Sequence, residues 1–369
     1  MRVLAFGTYD VKAHPRVQVL IDGLCDHGIT VEKLNAPLGL STAQRVDVLQ
    51  RPWLVPWLVA RLLRRWATLT SRSARIRRGE RSTHVLVGYL GHFDVLLARV
   101  LFPRAQIILD HLIFAAGTAK DRGVRSGVRI RLLTALDRAA LRAADLVVVD
   151  TVEHQRLVPV HRRADSVVVP VGATDRWFAA GDRAAQRRGR TEETLSVVFF
   201  GLFTPLQGTT VVGEAVRRLH EQGNKIRLTL VGSGQDSHAV HALVDGVAGV
   251  TWHDWVDGGE LPEVVASHDV CLGIFGVTDK ALAVVPNKVY QGAAAGCAVV
   301  TSDTEPQRRA LGDAAVLVEP GSPEALAAAL STLAENRDRL DHVRRACLQL
   351  AGERFTARAV TVPMVEALR

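Results

Sequence analysis

The chain has 369 residues, 48% apolar and 23% charged, which is enough for two cores of ordinary size and excludes a low-complexity or disordered polypeptide. The formal net charge is +8, yet residues 45–81 hold ten arginines against Asp47 and Glu80 and carry all of it, which argues against a general nucleic-acid-binding surface. No apolar run reaches the ~18 residues of a membrane span, and Cys25, Cys271, Cys297 and Cys347 are too scattered for a zinc site or paired disulfides, as suits reduced thiols in the cytoplasm.

Residues 3–6 read as a first strand and not a signal peptide, because Asp10 follows so soon. A turn at Gly7 leads to a loop, a helix over 16–27 and a second strand over 30–34. The loop lacks G-x-G-x-x-G, so nothing marks a dinucleotide site here. Gly7, His14 and Arg16 stand at the end of the first strand, and each also suits a structural part: a tight turn, a capping histidine, a solvated arginine.

Residues 51–78 alternate tryptophan and leucine with arginine. Trp53, Leu54, Trp57, Leu58, Leu62, Trp66 and Leu69 recur at spacings of three and four, among and ahead of seven arginines from Arg61 to Arg78. Such a helix suits an anionic membrane surface. Equally, it suits a domain helix with its apolar stripe on a sheet and its arginines in water.

A strand over 84–87 precedes His92, and a strand over 107–109 ends in Asp110-His111. A helix over 132–143, a strand over 145–151 and an extended stretch over 167–173 complete a first domain, residues 1–175. Residues 181–194 are charged and nearly free of apolar side chains, so 176–194 reads as a linker or exposed loop.

The strand–helix pattern then restarts, giving a second domain over 195–353. A strand over 195–200 runs into a loop with Gly201, Phe203 and Gln207, where a glycine turn admits a close ligand. A strand over 227–231 turns at Gly232-Ser233-Gly234, and a short one at 250–255 ends in Trp255-Val256. The most informative stretch is 276–303. A strand precedes it; Lys280 and Pro286-Asn287-Lys288 fill the loop; an alanine-rich helix from Val289 through Gln291 stops at Gly296; a second strand ends at Ser302-Asp303. This is one βαβ unit whose helix opens at the carboxyl ends of the strands. Its free N–H groups, its dipole and two lysines favour a phosphate, although any α/β sheet has such helices and solvated lysines.

The run P-N-K-V-Y-Q-(x3)-A-G-(x2)-V-V-(x2)-D, residues 286–303, resembles the donor-binding segment of family-4 glycosyltransferases, group 1 enzymes of GT-B fold, and weaker matches extend over nearly the whole chain. The resemblance implies an α/β protein of two Rossmann-like domains with parallel sheets facing a central cleft, with a C-terminal helix over 354–369 crossing back to the first domain. It implies transfer of a sugar from a nucleotide-sugar to an unidentified acceptor, with retention; the sequence has no D-x-D and no His/Asp cluster at metal spacing, so no metal and no other cofactor is expected. By position it makes His111, with Asp110 beside it, the catalytic pair, and His92 a competitor for that part; Gly7, His14, Arg16 and His92 fall on the acceptor side. Gly201, Phe203, Gln207, Gly232, Ser233, Gly234, Trp255, Val256, Lys280, Asn287, Lys288, Val289 and Gln291 fall on the donor side.

Two departures stand out. The loop that carries Arg and Lys in many members has Leu202 or Phe203 and Gln207, and the two glutamates spaced by eight are Ala283 and Gln291. Other readings therefore stay open: a nucleotide-binding homologue without transfer, a GT-B epimerase, and a membrane-surface module peripheral to the inner face.

Overall fold

The computed structural model describes residues 1–11, 14–39, 52–76, 83–89, 91–121, 127–187 and 194–369. The chain divides into two compact units, Met1–Val169 with Thr361–Arg369, and Pro170–Val360.

The first unit is a parallel sheet of β1 (Arg2–Gly7), β2 (Thr30–Asn35), β3 (His84–Val87), β4 (Gln106–Asp110), β5 (Leu146–Val149) and β6 (Ser166–Val168), in the order β2-β1-β3-β4-β5-β6. Runs such as the Leu-Val-Val-Val of β5 are buried at every position, as strands covered on both faces require. One core layer joins Phe6, Val87, Ile107 and Val149; the other joins Val3, Leu86 and Ile108 to Met364, Val365 and Leu368. The segment Thr361–Arg369 thus completes the first unit, whereas residues up to Val360 belong to the second. Since β2 and β3 flank β1, the switch point of this sheet lies between the carboxyl ends of β1 and β3.

The basic segment forms the helix Val55–Ile76, preceded by a 3-10 turn at Pro52–Leu54. Its apolar stripe is not continuous. Leu69 is in the core, Trp66 packs against it, and the Trp66 indole donates to Asp94 at 2.8 Å. Trp53 and Trp57 lie on the other side and are 73% and 44% exposed, with Arg61 stacked 5.4 Å over the Trp57 ring. The separation of apolar and basic faces expected from spacing therefore fails at the helix start, where tryptophan and arginine share one face. Among the described residues no helix is long and apolar enough to cross a membrane.

The second unit holds β7 (Leu195–Phe200), β8 (Ile226–Val231), β9 (Val250–His253), β10 (Val270–Leu272), β11 (Ala298–Ser302) and β12 (Val316–Val318), in the parallel order β12-β11-β10-β7-β8-β9. This is the doubly wound order, with its switch point between β7 and β10. Most of the expected linker is structured: residues 175–187 are the helix Asp175–Arg187. Trp177, Ala180 and Ala184 are buried on one face, and Trp177 stacks on Phe200 at 5.7 Å. Small alanines supply that stripe, so the segment reads as apolar-poor although its inner face is fully packed. Residues 188–193 lie outside the described residues.

Candidate functional site

In the first unit, acids and histidines gather at the carboxyl ends of β3, β4 and β5. Asp110 ends β4 and is 1% exposed; the equally buried Arg16 donates from Nε to its Oδ1 at 2.8 Å and from a terminal nitrogen to the Val169 carbonyl at 3.0 Å. Burial raises the Asp110 carboxyl above the usual range despite the pull of Arg16. Arg16, expected on the acceptor side, and Asp110, expected in the catalytic pair, form a buried ionic tie between β4, the helix Arg16–Asp26 and the residue after β6. An acid buried at a strand end needs a counter-charge, and a guanidinium is the side chain that supplies one with two donors.

His111 comes next. Its ring is buried, edge-on to His92 at 4.9 Å and to Phe114 at 4.5 Å. Its Nε2 has no hydrogen-bond partner and stands 3.9 Å from Asp137 Oδ1. Burial, then the neighbouring His92, lowers its pKa to about 3, so the imidazole is neutral near pH 7.

His92 Nε2 hydrogen-bonds Asp137 Oδ1 at 3.0 Å. Asp137 also accepts from the Ala115 and Ala116 amides, at 2.9 and 3.2 Å, which open the helix Ala115–Asp121. Burial alone would raise the Asp137 carboxyl; these donors hold it below the usual range. A carboxylate on Nε2 fixes the tautomer and leaves Nδ1 of His92 as the accepting nitrogen.

Sequence spacing shows no metal cluster, but folding brings His92, His111 and Asp137 together with one ligand atom each within 4.8 Å of one another. They come from three separate elements, so spacing hides them. The set could hold a divalent cation, although the hydrogen bonds of Asp137 already account for its placement.

At the switch point of this sheet lies a cavity of about 250 Å3, lined by Thr8 and Tyr9 after β1, by Tyr89 and His92 after β3, and by Leu58 and Leu62 of the basic helix. His14 also lines it and packs on Tyr89 at 4.1 Å. Gly7 has φ 140°, and a Cβ there would meet Asp94 Oδ2 at 2.9 Å, so it serves the turn and the seat of Asp94. A larger hollow of about 360 Å3, bounded by Thr194, Lys225 and Gly249, lies at the amino ends of β7 and β8, away from where such sheets bind ligands.

In the second unit Lys288 is 4% exposed, donates to Gln207 Oε1 at 2.6 Å, and sits 3.5 Å over the Phe199 ring. No carboxylate pairs with it among the described residues. Burial lowers its pKa to about 7, with Cys271 opposing the shift. Its Nζ lies 3.3 Å from where a Cβ of Gly201 would stand. Lys288 is the second residue of the helix Asn287–Ala294, which opens behind Pro286 without a side-chain cap and carries Asn287 half-buried at its start and Gln291 buried one turn on. Lys280, half-buried, precedes the 3-10 turn Ala281–Ala283.

The other donor-side residues divide into surface and scaffold. Ser233 and Trp255 are exposed, Trp255 by 80%, and Val256 is half-buried. Phe203 is buried and stacks on Trp252 at 4.6 Å, and Val289 is buried with its amide on the Pro286 carbonyl, so neither offers a side chain to a ligand. Gly232 has φ 124°, and a Cβ there would lie 2.0 Å from the Gly201 carbonyl oxygen; a Cβ on Gly234 would lie 2.3 Å from the Phe203 carbonyl oxygen. These glycines let two loops touch, where the sequence suggested ligand approach. Leu202, 40% exposed, is the outward residue of the first loop.

Sequence reasoning passed over Asp137, Phe199 and Thr209. Asp137 is a lone acid on the face of Leu133, Leu136, Ala140 and Leu141, a mismatch with helical periodicity that could have flagged it. Thr209, first residue of the helix Thr209–Glu221, is buried with its hydroxyl unpartnered, and Gly208 just before it was the available signal.

Residues 194–336 match the family described as Glycosyl transferases group 1. No curated protein sequence matches the chain. Among solved structures, the sucrose-phosphate synthase of Thermosynechococcus elongatus is similar with a TM-score of 0.70 at 14% identity, covering 100% of this chain and 98% of that one. Anabaena HepE in complex with UDP is similar with a TM-score of 0.65 at 13% identity, over 100% and 98% of the chains, and its UDP-glucose complex gives 0.65 at 14% over the same shares. With its two six-stranded parallel sheets the chain has the GT-B fold, and its second unit carries a group 1 glycosyltransferase domain, the domain of a transferase.

Proposed function

We propose that the protein transfers a sugar from a nucleoside-diphosphate sugar to an acceptor hydroxyl, with retention and without a metal ion, in the cytoplasm. The observation that carries this reading is the Lys288 amine, buried at the switch point of the second sheet with no carboxylate paired to it among the described residues. A buried cation without a counter-ion is a place built for an anion that arrives later. The diphosphate would lie against Lys288, the start of the helix Asn287–Ala294 and the Gly201 turn, with Thr209 offering its free hydroxyl. Gln291 would hold the ribose by hydrogen bonds, and exposed Trp255 would offer a face to the base. Positive potential at the departing diphosphate lowers the barrier because charge grows there in the transition state. HepE, whose structures contain UDP and UDP-glucose, makes the uridine nucleotide the first to try.

Calorimetric titration with UDP, GDP, ADP and dTDP tests this. One nucleotide should bind, and Lys288→Ala should weaken it by about 1–3 kcal/mol, as for loss of a charge-assisted contact. If none binds at millimolar concentration, the donor site is not where we place it.

Two observations favour second readings. The loop in which many family members carry cations has Leu202, which is exposed, Phe203 and Gln207, all uncharged, which suits a nucleotide-binding homologue without transfer; UDP binding with no turnover of any sugar nucleotide would select that reading. Exposed Trp53 and Trp57 beside Arg61 and Arg64 suit contact with an anionic membrane, tested by co-sedimentation with anionic vesicles at physiological salt.

A further inference from the structure

The cavity at the first switch point combines two properties that the proposed transfer has not yet used. Most of its wall is apolar: Leu58 and Leu62 from the helix Val55–Ile76, Ile113 after β4, and Leu133 and Leu136 from the helix Gly127–Ala143. One polar group on that wall is placed for chemistry. His92 is 6% exposed, carries Asp137 on Nε2, and keeps Nδ1 without a partner among the described residues. Tyr9, 4% exposed, lines the same cavity with its hydroxyl unpartnered. The acids near the cavity are already satisfied: Asp94 accepts from the Thr8 amide, the Thr8 hydroxyl and the Trp66 indole, and Asp137 from two amides and His92.

The volume matters too. About 250 Å3 holds roughly eight waters at ~30 Å3 each, and a mostly apolar wall gives such waters few partners. Replacing them with apolar ligand surface is favourable in proportion to the area removed from water. A bare sugar hydroxyl cluster would instead be stripped of water against leucines.

We propose that this cavity receives an acceptor with an apolar body, an alkyl or aryl group of this size, whose hydroxyl donates to Nδ1 of His92. The inference rests on the transferase reading above and gives its acceptor a chemical class. In the transfer, the acceptor oxygen bonds to the anomeric carbon, the bond from that carbon to the diphosphate oxygen breaks, and the hydroxyl proton ends on the departing diphosphate. His92 orients the hydroxyl before that step and is returned unchanged. Asp137 acts through it as a positioning residue.

The test uses the full chain and two readouts on each variant, UDP binding for the second unit and octyl glucoside binding for the first, with free glucose as the apolar-free control. Octyl glucoside should bind the wild type at least tenfold more tightly than glucose. Leu62→Trp, which fills the cavity, and Leu58→Glu, which charges its wall, should each weaken octyl glucoside at least tenfold and leave UDP binding unchanged. His92→Ala should weaken octyl glucoside, and His92→Asn, which restores an acceptor near Nδ1, should recover part of the loss. A variant that loses UDP binding, or whose circular dichroism and thermal unfolding depart from those of the wild type, is misfolded, and the other cavity variant then decides. If UDP binds but octyl glucoside binds no better than glucose, or equally to wild type and both leucine variants, the apolar acceptor is wrong and the transferase stands. If UDP fails to bind wild type, the transferase reading falls and the acceptor assignment falls with it.

Discussion

The two sheets wind in different strand orders, yet each has a switch point at its carboxyl ends, and the two oppose each other in charge. In the first unit every buried acid we describe at the strand ends has found donors: Asp110 has Arg16, Asp94 has Trp66 and Thr8, Asp137 has His92 and two amides. What remains open there is an apolar hollow edged by imidazoles. In the second unit the buried basic group at the corresponding edge is the Lys288 amine, resting on a glutamine oxygen and an aromatic face with no carboxylate against it among the described residues. A parallel sheet therefore decides where a ligand can sit, and a handful of side chains decide what kind it is.

Several substitutions would break this contrast or sharpen it. The largest effect should come from the first unit's ionic tie. Arg16→Met strands the Asp110 carboxylate in the interior and should cost about 3–5 kcal/mol in denaturant unfolding, while Arg16→Met with Asp110→Leu recovers much of it. In the second unit, Gly232→Ala forces a Cβ onto the Gly201 carbonyl at a strained backbone angle; a cost of about 1–3 kcal/mol is expected, read as a lowered melting temperature.

Protonation separates the units next. The Lys288 pKa is lowered to about 7 from 10.5, so the unfolded chain binds more protons than the folded one between these values. Stability of the empty protein should thus rise with pH above 7, while UDP affinity should fall as the ammonium discharges. In Lys288→Met both slopes should be lost, and melting curves with and without UDP from pH 6.5 to 8.5 check this. His111 is lowered from 6.5 to about 3, so its contribution is complete above pH 6.5 and lost progressively below it. His111→Phe should flatten acid destabilisation between pH 6.5 and 4 relative to wild type, measured by unfolding across that range. The smallest effect should follow Leu202→Arg, which returns a cation to an exposed loop position and should tighten UDP by about 0.2–1 kcal/mol, with the gain fading in salt.

The alternation of strands and helices was legible because strands buried on both faces must be continuous apolar runs, and Ile-Ile-Leu before Asp110 or Val-Val before Thr301 leave little choice. The helix at the ligand-binding edge was legible to within two residues: it was expected from Val289, behind Pro286-Asn287-Lys288, and begins at Asn287. The partners of these residues were not. Nothing in the string ties Arg16 to Asp110 across ninety-four positions, or Asp137 to His92 across forty-five, because such pairs are chosen by the folded sheet. Helix Asp175–Arg187 hid for a different reason: alanine and one tryptophan make its inner face, and a hydrophobicity count undervalues alanine.

The contact of Gly232 and Gly234 with the loop after β7 has a consequence for how the second unit can diverge. Positions 201, 203, 232 and 234 move as one block, since adding even a methyl group to either later glycine collides with backbone of the earlier loop. Leu202 in one loop and Ser233 in the other stand exposed beside that block. A lineage, or a selection experiment, that retunes affinity for the leaving group therefore has a narrow door: many changes at these two positions, and almost none beside them.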